Sequence, residues 1–432
     1  MNFNKKLSDL YWYFKDRKLV TNFNREPDCY FLYLPRYTGK TFVDIYIKAG
    51  ALSEKEELVG IGHLLEHYIS ELVNKGLPDD VRFEARINDY YIVFYLESSD
   101  NKNLICAIEK FFETIANPDF SRQEIFDYEK KSIINELENE KNDTELKLER
   151  LIERTRYSDE PNRRSFVDHL PRLKYLKIED IAAYHKKIFT KENLKVFVSS
   201  TKLNPRVCDV INDKLGQLNL PNGSVNFPKP AYSSFQVQIS DEPDMSGNYV
   251  AMTFPSIGRS ESLRDNMIFE LMAEVMRDKE RKGIRQKIRE AGIYDFSVAY
   301  SQGIYNGYLS IQSHLNKEQV VPWVEMVSGM IRELKKGKLD LLLLKKTKKK
   351  RAGDMLVSWR NNEGRFNILT RFILDQKDIP SHKTVKKMIA SVSESDIRAM
   401  TQKIFDKEKM NLIIFGETVV LNQEKLERAV VF

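Results

Sequence analysis

The fold of this chain is organised around Gly60-Ile61-Gly62-His63-Leu64-Leu65-Glu66-His67-Tyr68. This stretch holds two of the six histidines of the chain, four residues apart, with a glutamate directly before the second. Positions i, i+3 and i+4 of an α-helix lie on one face, so a helix here brings His63, Glu66 and His67 together. Two imidazoles on one face can hold a metal ion from the same side.

The order His-x-x-Glu-His reverses the common zincin order and is known as the inverzincin motif. A zinc ion held by two neutral imidazoles and one carboxylate keeps a fourth position for water. The ion lowers the pKa of that water, and Glu66 lies on the right face to take its proton. Gly60 and Gly62 allow close approach of the chain at the entry turn. The alternative is a surface helix with two solvated histidines, because a five-residue motif is only moderately specific.

A third protein ligand has to come from another part of the chain. The acidic segment from Ser121 to about Glu153 is predicted to form one long helix, opened by a capping-box pattern at 121–124. Most of its charges suit a solvated helix face. Glu129 and Glu136 lie two turns apart and share one face, so this helix is the best source of the ligand. Weaker candidates are Glu138 and Glu140, which point off that face, and the later histidines His169 and His185.

Length and composition describe a soluble globular protein with two or three domains. The 432 residues are 42% hydrophobic and 31% charged, and the formal net charge is +6. No stretch approaches the roughly 18 apolar residues of a membrane span, and the first 18 residues lack the apolar run of a signal peptide. The three widely spaced cysteines argue against a disulfide framework. We therefore expect a cytoplasmic protein with no membrane partner.

Strand and helix patterns predict two similar α+β domains. Apolar and alternating runs predict strands at 29–34 and 41–47, joined by a hairpin turn at 37–40, and further strands at 83–87, 90–96 and 193–199. A stretch rich in Pro, Asn and Gly predicts a linker at 221–230, between an N-terminal domain at 1–220 and a C-terminal domain at 231–432.

The second half repeats the outline of the first without the histidine motif. Its predicted strands are 249–254, 296–299, 307–312 and 410–415, and its main helices are 264–289, 317–336, 339–359 and 394–405. The basic run Lys345–Arg351 is interpreted as a solvated helix face. Nucleic-acid binding is disfavoured because no aromatic residues are interleaved with the lysines, and attraction of acidic peptides is a third option.

Three segments resemble the pitrilysin/insulysin family of zinc metallopeptidases. Residues 48–67 resemble the strand end, loop and motif helix of that family. Residues 129–136 resemble its second motif, in which two glutamates stand at the same spacing. That resemblance implies that Glu136 ligates zinc and that Glu129 supports the site from close by.

The third segment, residues 285–298, departs from the family pattern. It resembles a segment in which an arginine and a tyrosine face the zinc and hold the substrate backbone. Arg289 matches the arginine, but Phe296 occupies the position expected for the tyrosine, and Tyr294 lies two positions early. A phenyl ring cannot donate a hydrogen bond to an oxyanion. Either Tyr294 substitutes for it, or stabilisation of the transition state is weaker.

The resemblance implies two similar α+β domains, each a mixed or antiparallel sheet packed by helices, as in processing-peptidase subunits. It implies a zinc metalloendopeptidase for peptides or unfolded segments, with zinc on His63, His67 and Glu136, and Glu66 as the general base. The substrate would add as a strand beside residues 83–87, inside a homodimer or a heterodimer with a related subunit. The alternative is a weakly active or non-catalytic subunit that binds peptides. The natural substrate, the cleavage preference and the dimer partner stay open at this level.

Overall fold

Two β-sheets with helices packed against them form the frame of this protein. The computed structural model describes residues 13–14, 17–18, 20–243, 245–277, 288–290, 292–293, 295–338, 340–417 and 421–432. Backbone contacts divide the chain into two units, each with its own core. Unit 1 contains Met1–Leu146, Ser165–Pro228 and Val357–Ile379, and unit 2 contains Lys147–Arg164, Lys229–Leu356 and Pro380–Phe432.

The units therefore do not correspond to two uninterrupted halves of the chain. Each takes one segment from the half that mostly builds the other, namely 147–164 in unit 2 and 357–379 in unit 1. The division into domains at 1–220 and 231–432 with a linker at 221–230 stays a prediction.

The strands of unit 1 form one main sheet and a short ladder. They are β1 (Tyr13–Phe14), β2 (Arg17–Lys18), β3 (Val20–Arg25), β4 (Asp28–Tyr33), β5 (Thr41–Ile47), β6 (Arg82–Ile87), β7 (Ile92–Ser98) and β8 (Leu194–Ser200). β1 pairs with β2, and the six-stranded sheet has the order β3-β4-β8-β5-β7-β6. β4 and β8 run parallel, while the other neighbours are antiparallel. β6 is an edge strand of this sheet, as the sequence interpretation required.

The predicted hairpin at 37–40 is wrong, because β8 lies between β4 and β5. The two strands follow each other in the chain, but each pairs with β8, which arrives about 150 residues later. Val196 and Val198 of β8 are completely buried. A strand of such apolar character is most stable between two neighbours, and the local pattern of β4 and β5 carries no trace of it.

The helices of unit 1 cover the sheet and share its core. The helices in the first part of the chain are α1 (Ile61–Asn74), α2 (Asn101–Ala116), α3 (Gln123–Glu140), α4 (Thr144–Arg156), α5 (Glu160–Arg163), α6 (Leu170–Leu173), α7 (Ile178–Ile188) and α8 (Pro205–Gln217). Of these, α5 and most of α4 belong to unit 2, and the others belong to unit 1. α1 packs against β6, α3 and α7.

The single helix predicted from Ser121 to about Glu153 is in fact two helices, α3 and α4. The expected capping box does not form, because the Ser121 hydroxyl donates to the carboxylate of Asp119 and α3 begins at Gln123. Residues 141–143 interrupt the helix, and the Asp143 carboxylate accepts a hydrogen bond from the backbone N–H of Leu146. Asn and Asp bond locally to the backbone and therefore favour such breaks.

Unit 2 repeats the strand arrangement of unit 1. Its strands are β9 (Gln236–Asp241), β10 (Asn248–Pro255), β11 (Phe296–Gln302), β12 (Gly307–Leu315) and β13 (Asn411–Gly416). The order β9-β13-β10-β12-β11 reproduces β4-β8-β5-β7-β6, with one parallel pair followed by three antiparallel pairs. The predicted internal repetition of an α+β unit is confirmed.

The remaining helices complete the frame. They are α9 (Leu263–Arg277), α10 (Lys317–Lys335), α11 (Leu341–Arg360), α12 (Asn362–Leu374, in unit 1), α13 (His382–Ser391), α14 (Glu394–Ile404) and α15 (Gln423–Ala429). Within the described part of the chain, no helix combines the length and the apolar character needed to cross a membrane.

Candidate metal centre

The first turn of α1 is held by a buried carboxylate. Glu54 accepts hydrogen bonds from the backbone N–H groups of Gly60 and Gly62, each at 2.8 Å. These are N–H groups that a helix start leaves without a partner, and negative charge is favourable there. Gly60 has φ +89°, a conformation that side chains rarely adopt. A Cβ at Gly62 would lie 2.7 Å from Ile87 Cδ1, so α1 touches the edge strand β6 at this point.

Sequence reasoning missed Glu54 as a structural residue of the site. The signal for it was present, since an acidic residue shortly before a helix start is a frequent cap. In this chain the carboxylate reaches two N–H groups that lie six and eight residues ahead. The histidine motif therefore enters its helix on a fixed path, directly beside β6.

The face of α1 that carries the motif is largely buried. His63 and Glu66 are 7% and 6% exposed, and the rings of His63 and His67 lie 4.8 Å apart between centroids. Burial lowers the pKa of His63 to about 3, with smaller contributions from His67 and His169. Its imidazole is therefore neutral, as a metal ligand must be, and its buried Nδ1 has no hydrogen-bond partner in the described structure.

Glu129 of α3 fixes the orientation of His67. The Nδ1 atom of His67 lies 3.0 Å from Glu129 Oε2, and Glu129 is only 7% exposed. The opposite ring nitrogen, Nε2, then lies 4.0 Å from Glu136 Oε2 and 3.9 Å from Glu66 Oε2. A carboxylate that holds one imidazole nitrogen while the other stays available is the usual partner of a ligating histidine.

The donor set suits zinc in number and in type. One donor atom each from His63, His67 and Glu136 lies within 4.8 Å of the other two. Zinc bonds of about 2.0–2.2 Å at tetrahedral angles place two donors on one ion roughly 3.4 Å apart, so the group has to close by about 1 Å. The Glu136 side chain is 45% exposed and is free to make that movement.

Glu66 lies beside the three donors with a perturbed carboxyl group. Burial raises its pKa to about 7, and Glu136 and Glu129 add to the rise, while His67 and the Ser70 hydroxyl oppose it. Ser70 Oγ donates to the backbone carbonyl of Glu66 at 2.7 Å and lies 3.4 Å from Glu66 Oε1. A carboxyl group that titrates near neutral pH can both accept and return a proton.

The other candidates lie outside this group. Glu138 is exposed and Glu140 half-buried on α3, and neither belongs to the donor set. His185 is buried against Phe120 and Phe189 and does not belong to the donor set. His169 is also buried.

Two of the three predicted substrate residues, Arg289 and Phe296, are described in unit 2. Phe296 begins β11 and is 4% exposed within the core of that unit. Arg289 is exposed, and Tyr294 lies outside the described residues. Their proposed contact with substrate stays a prediction.

Comparison with protein families identifies the chain. A model described as Insulinase (Peptidase family M16) matches residues 35–169, and one described as Peptidase M16 inactive domain matches residues 175–351. The chain belongs to the M16 (pitrilysin) family of peptidases. The resemblance inferred from residues 48–67, 129–136 and 285–298 is confirmed. M16 peptidases are typically zinc-dependent, in agreement with the donor set on α1 and α3.

Several solved structures share the fold. A protease from Helicobacter pylori is 14% identical, with a TM-score of 0.72 over 92% of this chain and 98% of that one. A peptidase M16 inactive domain from Pseudomonas fluorescens is 15% identical, with a TM-score of 0.74 over 93% and 98%. The periplasmic protease PqqL from Escherichia coli is 11% identical, with a TM-score of 0.80 over 95% of this chain and 49% of that one. At such identities these matches show the fold alone, and a comparison with curated proteins found no match.

Proposed function

We propose that this M16 protein is a zinc-dependent endopeptidase that hydrolyses peptides or unfolded segments. One observation carries the proposal, namely that His63, His67 and Glu136 converge with Glu66 beside them. The donors come from two helices about 70 residues apart in the chain. A solvated surface helix would not bury two of the four side chains or bring a carboxylate from a second helix to them.

Each residue of the group has a distinct task. His63, His67 and Glu136 would hold the zinc ion, and Glu129 keeps the His67 ring in the orientation that leaves Nε2 available. When bound, the ion supplies an activated water and polarises the carbonyl group of the scissile bond. Glu66 accepts a proton on its carboxylate and later returns it to the leaving amine.

The substrate would bind along β6. The outer side of this edge strand has backbone N–H and C=O groups that can pair with an extended peptide. α1 packs against β6. Gly62, the residue directly before His63, lies against Ile87 of β6. A peptide paired with β6 therefore passes the first turns of α1. Recognition through the backbone would make extension of the substrate more important than a strict side-chain code.

A second subunit is part of the proposal. This chain covers 49% of the PqqL chain that it resembles, so that protease has room for a second region of similar size. A homodimer or a heterodimer with a related subunit would supply the same amount of structure.

The three cysteines Cys29, Cys106 and Cys208 form no disulfide bond with one another, and we accordingly place the protein in the cytoplasm.

The second candidate is a weakly active or non-catalytic partner subunit that binds peptides. Phe296 favours it, because phenylalanine stands where the family resemblance leads us to expect tyrosine. The match of residues 175–351 to a domain described as inactive agrees with either candidate, since that region excludes His63, Glu66 and His67.

Metal content and hydrolysis, measured on the same preparation, test the proposal. The purified full-length chain should carry about one zinc ion and cleave a mixed library of unfolded peptides, as followed by mass spectrometry. EDTA should abolish cleavage, and added zinc should restore it. Absence of bound zinc would contradict the ligand assignment. Bound zinc without cleavage of any peptide would favour the partner subunit.

A further inference from the structure

Unit 2 contains an apolar groove that the proposed peptidase activity does not use. The groove lies between α11 and α13 and has a volume of about 640 Å³. Leu344, Ile389 and Val392 form its floor and are 5%, 1% and 1% exposed. Leu341, at the start of α11, is 59% exposed at one end. Apolar surface of this kind, in a concave site of several hundred Å³, is typical of binding sites.

Lysine side chains line the rim of this groove. Lys345, Lys348 and Lys349 of α11 lie on one side and Lys386 of α13 on the other, while Glu394 is the one carboxylate among the residues that line it. Lys348 Nζ donates to the backbone carbonyl of Ala390 at 3.1 Å, so its charge is held at the rim. The site therefore combines an apolar floor with a clear excess of positive charge.

The groove explains one part of the basic run Lys345–Arg351 and leaves the other part on the helix surface. Lys346 and Lys350 do not line the groove, although they belong to the same helix. Arg351 pairs with the buried Glu270 of α9, which anchors α11 and keeps this wall in place. A preformed wall lowers the entropy cost of binding.

We propose that this groove docks an acidic amphipathic helix of a partner protein. Such a helix places apolar residues at i, i+3 or i+4 and i+7 into a groove of this form, and its carboxylates meet the lysines of the rim. Single-stranded nucleic acid is disfavoured because no Phe, Tyr or Trp is among the described residues that line the site. A flat membrane surface does not follow a concave floor between two helices. The proposal is independent of the peptidase activity.

A designed peptide tests the groove on the full-length chain. The probe is a fluorescein-labelled 15-residue peptide of Glu, Ala and Leu, with Leu at the helical spacing given above. Fluorescence anisotropy should show binding, and the double variant Lys345→Glu/Lys349→Glu should weaken it by about tenfold or more, since about 1.4 kcal/mol corresponds to tenfold. The matched double variant Lys346→Glu/Lys350→Glu changes the net charge equally and should bind within about twofold of the wild type.

Other outcomes would overturn the proposal. If wild-type protein does not bind the peptide, the groove has no such function. If both double variants lose affinity equally, the attraction is a general effect of charge on α11. A scrambled peptide of the same composition that binds equally well would exclude a helical occupant. Anionic phosphatidylserine vesicles that bind in place of the peptide would identify a membrane surface instead. Unchanged thermal melting of both variants shows that the fold is intact.

Discussion

Two pairs of helices occupy equivalent places in the two units but balance buried charge in opposite ways. α1 follows β5 and α3 comes second after β7, and α9 and α11 hold the corresponding places after β10 and β12. In unit 2, Glu270 of α9 is buried and is neutralised by Arg351 of α11. In unit 1, carboxylates of both helices meet two imidazoles, and no ion pair with lysine or arginine is found for them within the described chain.

The two units share a strand arrangement, but their corresponding helices compensate buried carboxylates in different ways. A buried carboxylate is costly unless a cation compensates it. In unit 2 the compensating cation is the guanidinium group of Arg351, which forms an ion pair with Glu270. In unit 1, Glu66, Glu129 and Glu136 lie near His67, and a bound metal cation would supply the compensating charge. The candidate centre thus lies in the unit whose corresponding helices carry histidines beside the carboxylates in place of an arginine.

Removal of a metal ligand should have the largest effect. His63→Ala, His67→Ala or Glu136→Gln leaves two of three protein donors, so bound zinc should fall from about one per chain to near zero after dialysis. Inductively coupled plasma mass spectrometry measures the metal. His314→Ala changes an exposed histidine of unit 2 and should leave the zinc content as it is. Stoichiometric zinc in the double variant His63→Ala/His67→Ala would show that the ligand assignment is wrong.

Glu66→Gln should remove the chemistry and keep the metal. The amide has the same size but cannot accept the proton, so peptide hydrolysis should fall by about 10²–10⁴-fold while zinc content stays unchanged. Glu71→Gln is the control, since Glu71 lies on the same helix and pairs with Lys75 at the surface. Hydrolysis at the wild-type rate by Glu66→Gln, with contaminating proteases excluded, would remove the proposed mechanism.

Arg351→Met should destabilise unit 2, because it removes the ion pair with the buried Glu270. We expect a loss of about 2–3 kcal/mol in the free energy of unfolding, below the roughly 3–5 kcal/mol of a fully buried pair, because 26% of the Arg351 side chain is exposed. Urea unfolding measures this loss. The double variant Arg351→Met/Glu270→Leu should recover most of it. An unchanged stability of the single variant would mean that solvent compensates Glu270 and that the contrast between the units is smaller than it looks.

The sequence predicted the elements of this comparison better than their assembly. The strand predicted at 41–47 coincides with β5, because its β-branched and aromatic residues favour a strand, although the strand is buried on both faces and not on one. α1 contains the whole motif, as predicted, because the glycines and the apolar spacing of the motif are local signals. The convergence of α1 with the 129–136 segment was inferred by resemblance, and the structure places the three donors together.

What local patterns do not contain is the pairing of distant segments. β8 inserts between β4 and β5 from the far end of its unit, and segments 147–164 and 357–379 pack with the other half of the chain. The ion pair of Glu270 with Arg351 joins residues 81 positions apart. Each of these contacts depends on tertiary packing, which overrides local periodicity.

Asp44 of β5 offers a test of a buried carboxyl group away from the metal centre. Burial raises its pKa to about 7, although Arg86 opposes the rise. Its unfolded pKa is about 4, so between these values the folded state binds more protons, and the free energy of unfolding should fall as the pH rises from about 4 to 7. Asp44→Asn should remove roughly 2 kcal/mol of that fall, as measured by urea unfolding at pH 5 and pH 8. Asp79→Asn, at an exposed position of the same unit, should keep the wild-type dependence.

Glu129→Gln should give the smallest of these effects and is the most specific for the arrangement of α3. The carboxylate does not belong to the donor set, but it holds the Nδ1 side of His67 at 3.0 Å. An amide there can still contact the ring, yet it no longer carries the negative charge that raises the basicity of the histidine. Loss of such a partner typically lowers metal affinity or activity by about 10–100-fold. Zinc should therefore remain bound at saturating concentration, and competition with a chelator should show the weaker affinity. Glu138→Gln, on the exposed side of α3, should leave affinity and turnover unchanged. If Glu129→Gln abolished zinc binding and Glu136→Gln did not, the two glutamates would have exchanged roles. Glu129 would then be the zinc ligand, and Glu136 would be the supporting residue.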